Sequence, residues 1–459
     1  MTYTKTGPFT NGAAPAIDAP FFNNVETELA AAAATVRPES FVHTGDSGDW
    51  ALAITRALAY ATPLGLPVQL QAVYPTATTV TLNSGDTLTG LGPATGIRTP
   101  TNAPIVALTA TGKTGITLQN FLVDGNCVTL ASKSYTRSIR FISCTSIRLH
   151  QMTTQYTPDW ATSFEACTNV LVTDHVHRAG DATLTGGRDG IHFLDCSDVL
   201  LDGARIHSGD DCVGITSQTA GINRITIRNV TGVSETAAVV TLGNEATTSF
   251  NATEIRVENI SAYQSPDYPS TNTQYVVKLR AQNAAYVRNV RVSGISGAAV
   301  QYGVWLDGNS TTSDSMADVI VEDVNVTSST MHGIYFNYVT HFTASAMWAR
   351  ALAGAYDGIH VENSKFGAVI GGSARSCALW GLQVLTCTTI DVVSFYARDN
   401  GGSSFASSTG GNGAIVNSSD VQVLGGVFVG GSSTSYYGLY QSGNTSTVVS
   451  TNTRIGGAH

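Results

Sequence analysis

From about residue 114 the chain alternates apolar and polar positions in short runs, each opened by a small polar residue and closed by Asn, Asp or Gly. They read TGITLQNFLVDG from Thr114, TSIRLHQMTT from Thr145, TNVLVTDHVHR from Thr168, SDVLLDGARI from Ser197 and NRITIRNVTG from Asn223, and return through SDVQVLGGVFVG at Ser419. A second pattern lies between them, a Gly followed by alternating apolar residues. It reads DGIHFL from Asp189, YGVWLDG from Tyr302, HGIYFN from His332, DGIHVEN from Asp357 and WGLQVL from Trp380. Alternation marks strands, and each pattern returns at roughly 23 to 34 residues, the interval of a solenoid. No helical stretch separates the runs, which excludes an α/β solenoid, and no Leu-x-x-Leu-x-Leu frame is present. The pattern predicts an all-β chain, a right-handed parallel β-helix of roughly a dozen coils, about 60 Å long at about 4.8 Å per coil.

The ends of such a rod must be covered. Residues 46–61, DSGDWALAITRALAYA, predict a short helical cap at the N-terminal end, with Asp or Ser at its start and apolar residues three and four apart. Residues 1–40 form a separate N-terminal segment with a helix over 21–34, and 41–459 form the rod. Cys144, Cys167, Cys196 and Cys387 each precede the same strand, and Asn363 and Asn417 take the equivalent place in VENSKF and VNSSDV. Equivalent residues stack, which predicts a buried ladder of free thiols continued by asparagines; parallel Cβ vectors fit disulfide geometry poorly.

Composition narrows the partners. The 459 residues are 42% apolar but only 12% charged, against about a quarter in ordinary globular proteins, so the surface is kept in water by hydroxyls and amides. A net charge of −9 without a basic run argues against nucleic acid. No stretch approaches the roughly 20 apolar residues of a membrane span. The start, Met1-Thr2-Tyr3-Thr4-Lys5, lacks the apolar core of a signal peptide. The expected setting is therefore the cytoplasm or another export route, such as assembly into a virion and release by lysis. Seven cysteines without a C-x-x-C pair give no zinc pattern, and neither a metal nor a cofactor is expected.

The densest chemistry lies in 187–212, GRDGIHFLDCSDVLLDGARIHSGDDC. Asp189 opens one coil's strand, and Asp210 and Asp211 fall one coil later, so stacking should gather three carboxyls on one face. Clustered carboxyls raise at least one pKa. A protonated acid beside an ionised base is what glycosidic cleavage needs. Asp-Gly pairs are also turn formers in any β-helix. Asp357-Gly358-Ile359-His360 repeats the string with no Asp-Asp one coil later, so Asp-Gly-Ile-His by itself reads as punctuation of the fold. Asp124 in Val123-Asp124-Gly125-Asn126 reads as a turn residue.

Two resemblances follow from these residues. The order Gly45-Asp46-x-x-Asp49, an Ala-rich helix, an apolar strand and TVTLNSGDTLTGLGPATGI looks like the start of pectate-lyase-like β-helices, an opening shared by bacterial enzymes and phage tailspikes. Residues 1–40 resemble the short N-terminal segments of phage tail proteins, with a solvated arm as the alternative. Gly187-Arg188-Asp189-Gly190-Ile191-His192 and Gly209-Asp210-Asp211-Cys212 resemble the NTDGIH and GDDC marks of the polygalacturonase family of glycoside hydrolases. That resemblance implies Asp210 as general acid, with Asp189 and Asp211 activating water for an inverting hydrolysis. Val277-Lys278-Leu279-Arg280 is similar to the family's Arg-x-Lys with its cations exchanged, and alternate strand residues share a face. Lys278 and Arg280 thus suit an acidic sugar, an ordinary surface pair being the alternative.

The departures are specific. Gly187 and Arg188 replace the family's Asn and Thr, and Thr236-Ala237-Ala238-Val239 stands where Gly-His-Gly is expected. His192 and His207 are the candidates to stand in for that histidine. Tyr302 and Trp305, with Tyr263, Tyr268, Tyr335 and Tyr338, are candidates to stack on sugar rings, and strand alternation predicts that half of them fill the core instead. Three functions stay open: a polysaccharide hydrolase, a lyase on the same fold, and a non-catalytic glycan-binding tail fibre. A tailspike setting implies an extracellular or virion location, a homotrimer and phage tail proteins as partners.

Overall fold

The computed structural model describes residues 35–128, 136–157, 159–179, 188–244, 251–263, 273–282, 285–350, 356–401, 411–429, 437–449 and 453–456. The helix expected over 21–34, and Tyr268, lie outside them. The chain is a right-handed parallel β-helix of about 12 turns with one short helix near its N-terminus. Two parallel sheets wrap it. A 14-stranded sheet collects the short Gly-led strands, and a 21-stranded sheet collects the longer runs.

An Asn, Asp or Gly is the bend of its coil in six successive long runs, and Ala346 and Ser394 take that place in two later ones. Asp174, Gly203, Asn229, Asn259, Gly294 and Asp323 stack in neighbouring coils with φ between 53 and 82°. Left-handed backbone favours these residue types. Asn259 also donates a 3.1 Å hydrogen bond to Asn229 Oδ1 in the coil before. Beyond the bend, period-two alternation resumes and the apolar positions turn inward. Phe141, Phe164 and Phe193 stack inside the rod at 5.4 and 5.2 Å between ring centres.

The helix Trp50–Ala61 covers the N-terminal opening with Ala51, Ile54, Ala57, Leu58 and Ala61. Asp49 caps it by accepting from the Ala51 amide at 3.1 Å, and it also ties the cap to the first coil by accepting from the Ala77 amide at 2.9 Å. The helix starts at Trp50 rather than residue 46. Asp46 instead folds back to accept from both guanidinium nitrogens of Arg56 at 2.8 Å.

All seven cysteines are free and buried. The ladder is as expected, with one shift of register. Thr388 pairs with Lys365 and with Ser419, so Ser364 and Ser418 occupy the cysteine position, not Asn363 and Asn417. The Cys387 amide donates to Ser418 Oγ at 3.1 Å. The asparagines sit one residue earlier, both at φ 49°, because that turn position needs left-handed backbone. Asp124 is the turn residue expected: it accepts from the Asn126 amide at 2.8 Å and from Arg98 at 2.9 Å.

Candidate active site

The short-strand sheet carries the site on its outward face. Its strands Ile191–Leu194, Val213–Ser217, Ala238–Asn244, Tyr275–Arg280, Tyr302–Asp307, Ile334–Asn337 and Ile359–Glu362 stack in that order. Two outward columns run along them. One holds Asp189, Asp211, Ala238, Tyr275, Tyr302, His332 and Asp357. The other holds His192, Gly214, Thr241, Lys278, Trp305, Tyr335 and His360.

Asp189, Asp210 and Asp211 converge, with an oxygen of each within 4.8 Å of the others. The turn that presents the pair is built from beneath. The Gly209 and Asp210 amides donate to Arg188 O at 3.1 and 3.3 Å, and Ser208 Oγ and Ser234 Oγ donate to Asp210 O at 2.8 and 2.6 Å. Arg188 is buried and pairs with Glu235 at 2.9 Å. A Cβ on Gly209 would lie 2.4 Å from that guanidinium, so the glycine of Gly-Asp-Asp-Cys is required by close approach.

Burial raises the Asp211 carboxyl well above the usual range, and the charges of Asp189 and Asp210 raise it further, outweighing the Ala238 amide and Lys278. The Ala238 amide donates to Asp211 Oδ1 at 3.0 Å, so backbone now touches the acid where the resemblance expects the histidine segment. Asp189 has a different partner. His192 Nδ1 lies 2.5 Å from Asp189 Oδ2, and His192 Nε2 lies 2.8 Å from Thr216 Oγ1. Trp160 stacks on the His192 ring at 3.5 Å, with the Arg137 guanidinium 4.2 Å from the Trp160 ring centre. A histidine therefore does reach the cluster, from the first coil rather than the next one.

The other candidates divide. Lys278 sits at the cluster, where burial lowers its pKa while Asp211 and Asp210 favour its charge. Its Nζ lies 4.8 Å from the Tyr275 ring and 5.4 Å from Trp305. Arg280 pairs with Asp307 at 3.0 Å. His207 faces Glu235 at 3.2 Å, in the buried group with Arg188, and so belongs to the support beneath the turn rather than to the groove. Tyr302, Trp305, Tyr335, Tyr338 and Tyr263 are all half-buried, and none fills the core. The expectation that half would turn inward fails because the inward places beside them go to Val304, Leu306, Ile334 and Phe336. Trp160, Arg188 and Glu235 were not singled out as site residues. Trp160 is recognisable only by register, as the residue stacked one coil before Asp189.

Among the described residues, two groups have metal-ligand types within 4.8 Å of one another, the three aspartates and His332–Asp357–His360. In the second, hydrogen bonds already engage the ligand atoms. Asp357 Oδ1 accepts from the Trp380 amide at 2.9 Å, its Oδ2 contacts His360 at 2.6 Å, and His332 Nδ1 accepts from the Asp357 amide at 3.1 Å.

The sequence and the fold are similar to those of known proteins. The model of glycosyl hydrolases family 28 matches residues 101–348. A probable polygalacturonase of Vitis vinifera is 26% identical over 185 residues, 38% of this chain and 36% of that protein. An endopolygalacturonase of Emericella nidulans is 23% identical over 190 residues, 37% of this chain and 45% of that one. The chain thus spans less than half the length of these relatives. The solved family 28 exopolygalacturonase of Yersinia enterocolitica superposes with a TM-score of 0.50 at 13% identity, over 92% of this chain and 79% of that one, a likeness of fold.

Proposed function

The chain belongs to glycosyl hydrolases family 28, and from that premise we propose that it hydrolyses glycosidic bonds of a polysaccharide at Asp189, Asp210 and Asp211. The observation that carries this is the convergence of three carboxyls, one of them with its pKa raised, on the open face of the rod. Hydrolysis needs one proton delivered to the glycosidic oxygen and one removed from water as it attacks the anomeric carbon. The raised Asp211 carboxyl keeps a proton close to Asp210, the acid that the family resemblance implies. Asp189, oriented by His192, then takes the water's proton.

Inversion is the expected outcome by resemblance. The usual spacing rule does not apply here, because it concerns one pair of carboxyls about 6.5–9.5 Å apart with water between them, and this cluster has three. An exported enzyme or a phage tailspike is the setting we favour, the latter with a homotrimer and tail-protein partners. Its support is a surface rich in Ser, Thr, Asn and Gly with only 12% charged residues. No helix among the described residues is long and apolar enough to cross a membrane.

The test is incubation with acidic and neutral polysaccharides, following reducing ends and ultraviolet absorbance together. New reducing ends without absorbance, lost in Asp210→Asn, are expected. Reducing ends with absorbance would make it a lyase, and binding without new ends a recognition rod.

A further inference from the structure

The two columns that carry the carboxyls do not stop at Lys278. In the next coils the same places are filled by rings: Tyr275, Tyr302 and His332 in one column, Trp305 and Tyr335 in the other. They form a continuous row. Tyr275 and Tyr302 stack at 5.2 Å, Tyr302 and Trp305 at 5.4 Å, and His332 and Tyr335 at 5.4 Å. From Asp211 to Asp357 the row spans five strand steps, about 24 Å. Tyr302, Trp305, His332 and Tyr335 are all half-exposed, so each offers a ring face or edge to the groove. Beside them lies a cleft of about 550 Å³ lined by Arg280, Gln282, Asp307, Asn337 and Tyr338. Rings as a floor, with amides and hydroxyls at the side, suit a sugar chain whose C–H faces stack while its hydroxyls hydrogen-bond.

The charges along this row say which sugars. Arg280 is paired with Asp307. His360 lies between Asp357 at 2.6 Å and Glu362 at 3.4 Å. Tyr335 Oη donates to Glu362 as well. Lys278 faces the aspartate cluster. Lys278 and Arg280 each lie 5.4 Å from the Trp305 ring, but Arg280 and His360 are matched by carboxylates, and Asp307, Glu362 and Asp357 leave the coils beyond Trp305 without positive excess. Arg350, Arg375 and Arg398 do stack in successive coils, but they are exposed on the outward side of the long-strand sheet. A uronate stacked on Tyr335 would lie beside Glu362, to which the Tyr335 hydroxyl donates, a like-charge contact that opposes binding.

We propose that the row from Tyr302 to Tyr335 is a binding platform for uncharged sugar residues, so that the polysaccharide carries neutral units beyond the bond that is cut. This rests on reading the groove as a saccharide site, but not on cleavage. Affinity electrophoresis of the Asp210→Asn protein in native gels separates the two questions. The gels would contain neutral polysaccharides (galactan, dextran, xyloglucan) or polygalacturonate. Retardation by a neutral polysaccharide is expected, weakened about tenfold in Trp305→Ala and in Tyr335→Ala, as for an aromatic anchor, and largely kept in Trp305→Phe. Retardation by polygalacturonate alone, by none of the neutral glycans, or equally in the alanine variants would overturn the proposal. A wild-type protein that binds but releases no reducing ends would instead overturn the hydrolase reading and leave the platform standing.

Discussion

The rod contains the same tetrapeptide twice, and the two copies fold alike. Asp189-Gly190-Ile191-His192 and Asp357-Gly358-Ile359-His360 each close an Asp–His contact, at 2.5 and 2.6 Å, in the same two columns of the same sheet. In each, a ring from the preceding coil lies against the histidine, Trp160 in the first and His332 in the second. What differs is the coil that follows. After the first copy it places Asp211 beside Asp189, with Asp210 next to it; after the second it places Trp380, whose amide donates to Asp357 at 2.9 Å. In the first copy the aspartate faces other acids, and burial together with the charges of its neighbours raises the Asp211 carboxyl. In the second the aspartate is saturated by donors. The tetrapeptide is a device for pairing two columns, and the next coil determines whether it is chemistry.

The largest effect that would break this comparison is on rate. Asp210→Asn and Asp211→Asn should each lower hydrolysis by about 10²–10⁴-fold, the usual worth of a positioned acid or base, with the thermal transition retained. A variant that keeps its activity would remove the three-carboxyl site.

At the second copy the expected loss is of stability. Asp357 is 1% exposed, and Asp357→Ala strips the acceptor from both the Trp380 amide and His360. Removing a buried hydrogen-bonded charge costs about 3 kcal/mol. The deficit should also depend on pH. Burial opposes charge on His360, but hydrogen bonds to Asp357 and Glu362 outweigh it and raise the pKa from 6.5 to about 9. A raised histidine pKa stabilises the fold fully below pH 6.5, and that contribution is lost as pH rises through about 9. Denaturant midpoints of parent and variant should therefore differ most below pH 6.5 and approach each other above pH 9. A gap independent of pH would show that His360 is not charged in the fold.

Glycine tests the comparison next. A Cβ at Gly214 would lie 2.6 Å from His192 Nδ1 and 3.0 Å from Asp189 Oδ2, so Gly214→Ala should part the first pair. The corresponding residue after the second copy is Gln383, which the outward column accepts because His360 leans toward Glu362 instead. Overpacking of this kind costs about 1–3 kcal/mol, and in Gly214→Ala the turnover should fall more than the affinity for polysaccharide. Unchanged turnover would mean that the Asp189–His192 contact has no part in the reaction.

Much of this was present in the sequence because a β-helix repeats its physics. Alternation gave the strands, and Asn, Asp or Gly marked most bends, with Gln151, Ala346 and Ser394 taking the others. The interval between runs placed Asp189 one coil from Asp210 and Asp211. What could not be read was register to the residue and direction to the ring. Asn363 and Ser364 are both small and polar, and only the need for left-handed backbone at one of them fixes which joins the cysteine ladder. Tyr335 and Phe336 are adjacent aromatics, and the strand must turn one of them in; the phenol went out, where its hydroxyl meets Glu362. Arg188 was visible only as a departure from a familiar motif. Its partner Glu235 lies 47 residues away, a separation that no short-range pattern reports.

The smallest effect expected concerns Asp211 and the cost of holding it. Its carboxyl is raised by burial first and by Asp189 and Asp210 second, so the fold must carry an acid that would ionise more readily in the unfolded chain. For a group with a raised folded pKa, the contribution to stability is fully present below its ordinary value of 3.8 and declines as pH rises toward the folded pKa. Asp211→Asn removes the titration while keeping the shape and the acceptor for the Ala238 amide. The variant should thus gain slightly over the parent in thermal stability at neutral pH and match it in acid, while losing its activity. The same proton sets the alkaline limb of the rate, which should fall in the parent as the cluster ionises. A variant less stable than the parent at neutral pH would mean that Asp211 is ionised in the fold and balanced by Lys278, and the proton for the leaving oxygen would then have to come from elsewhere.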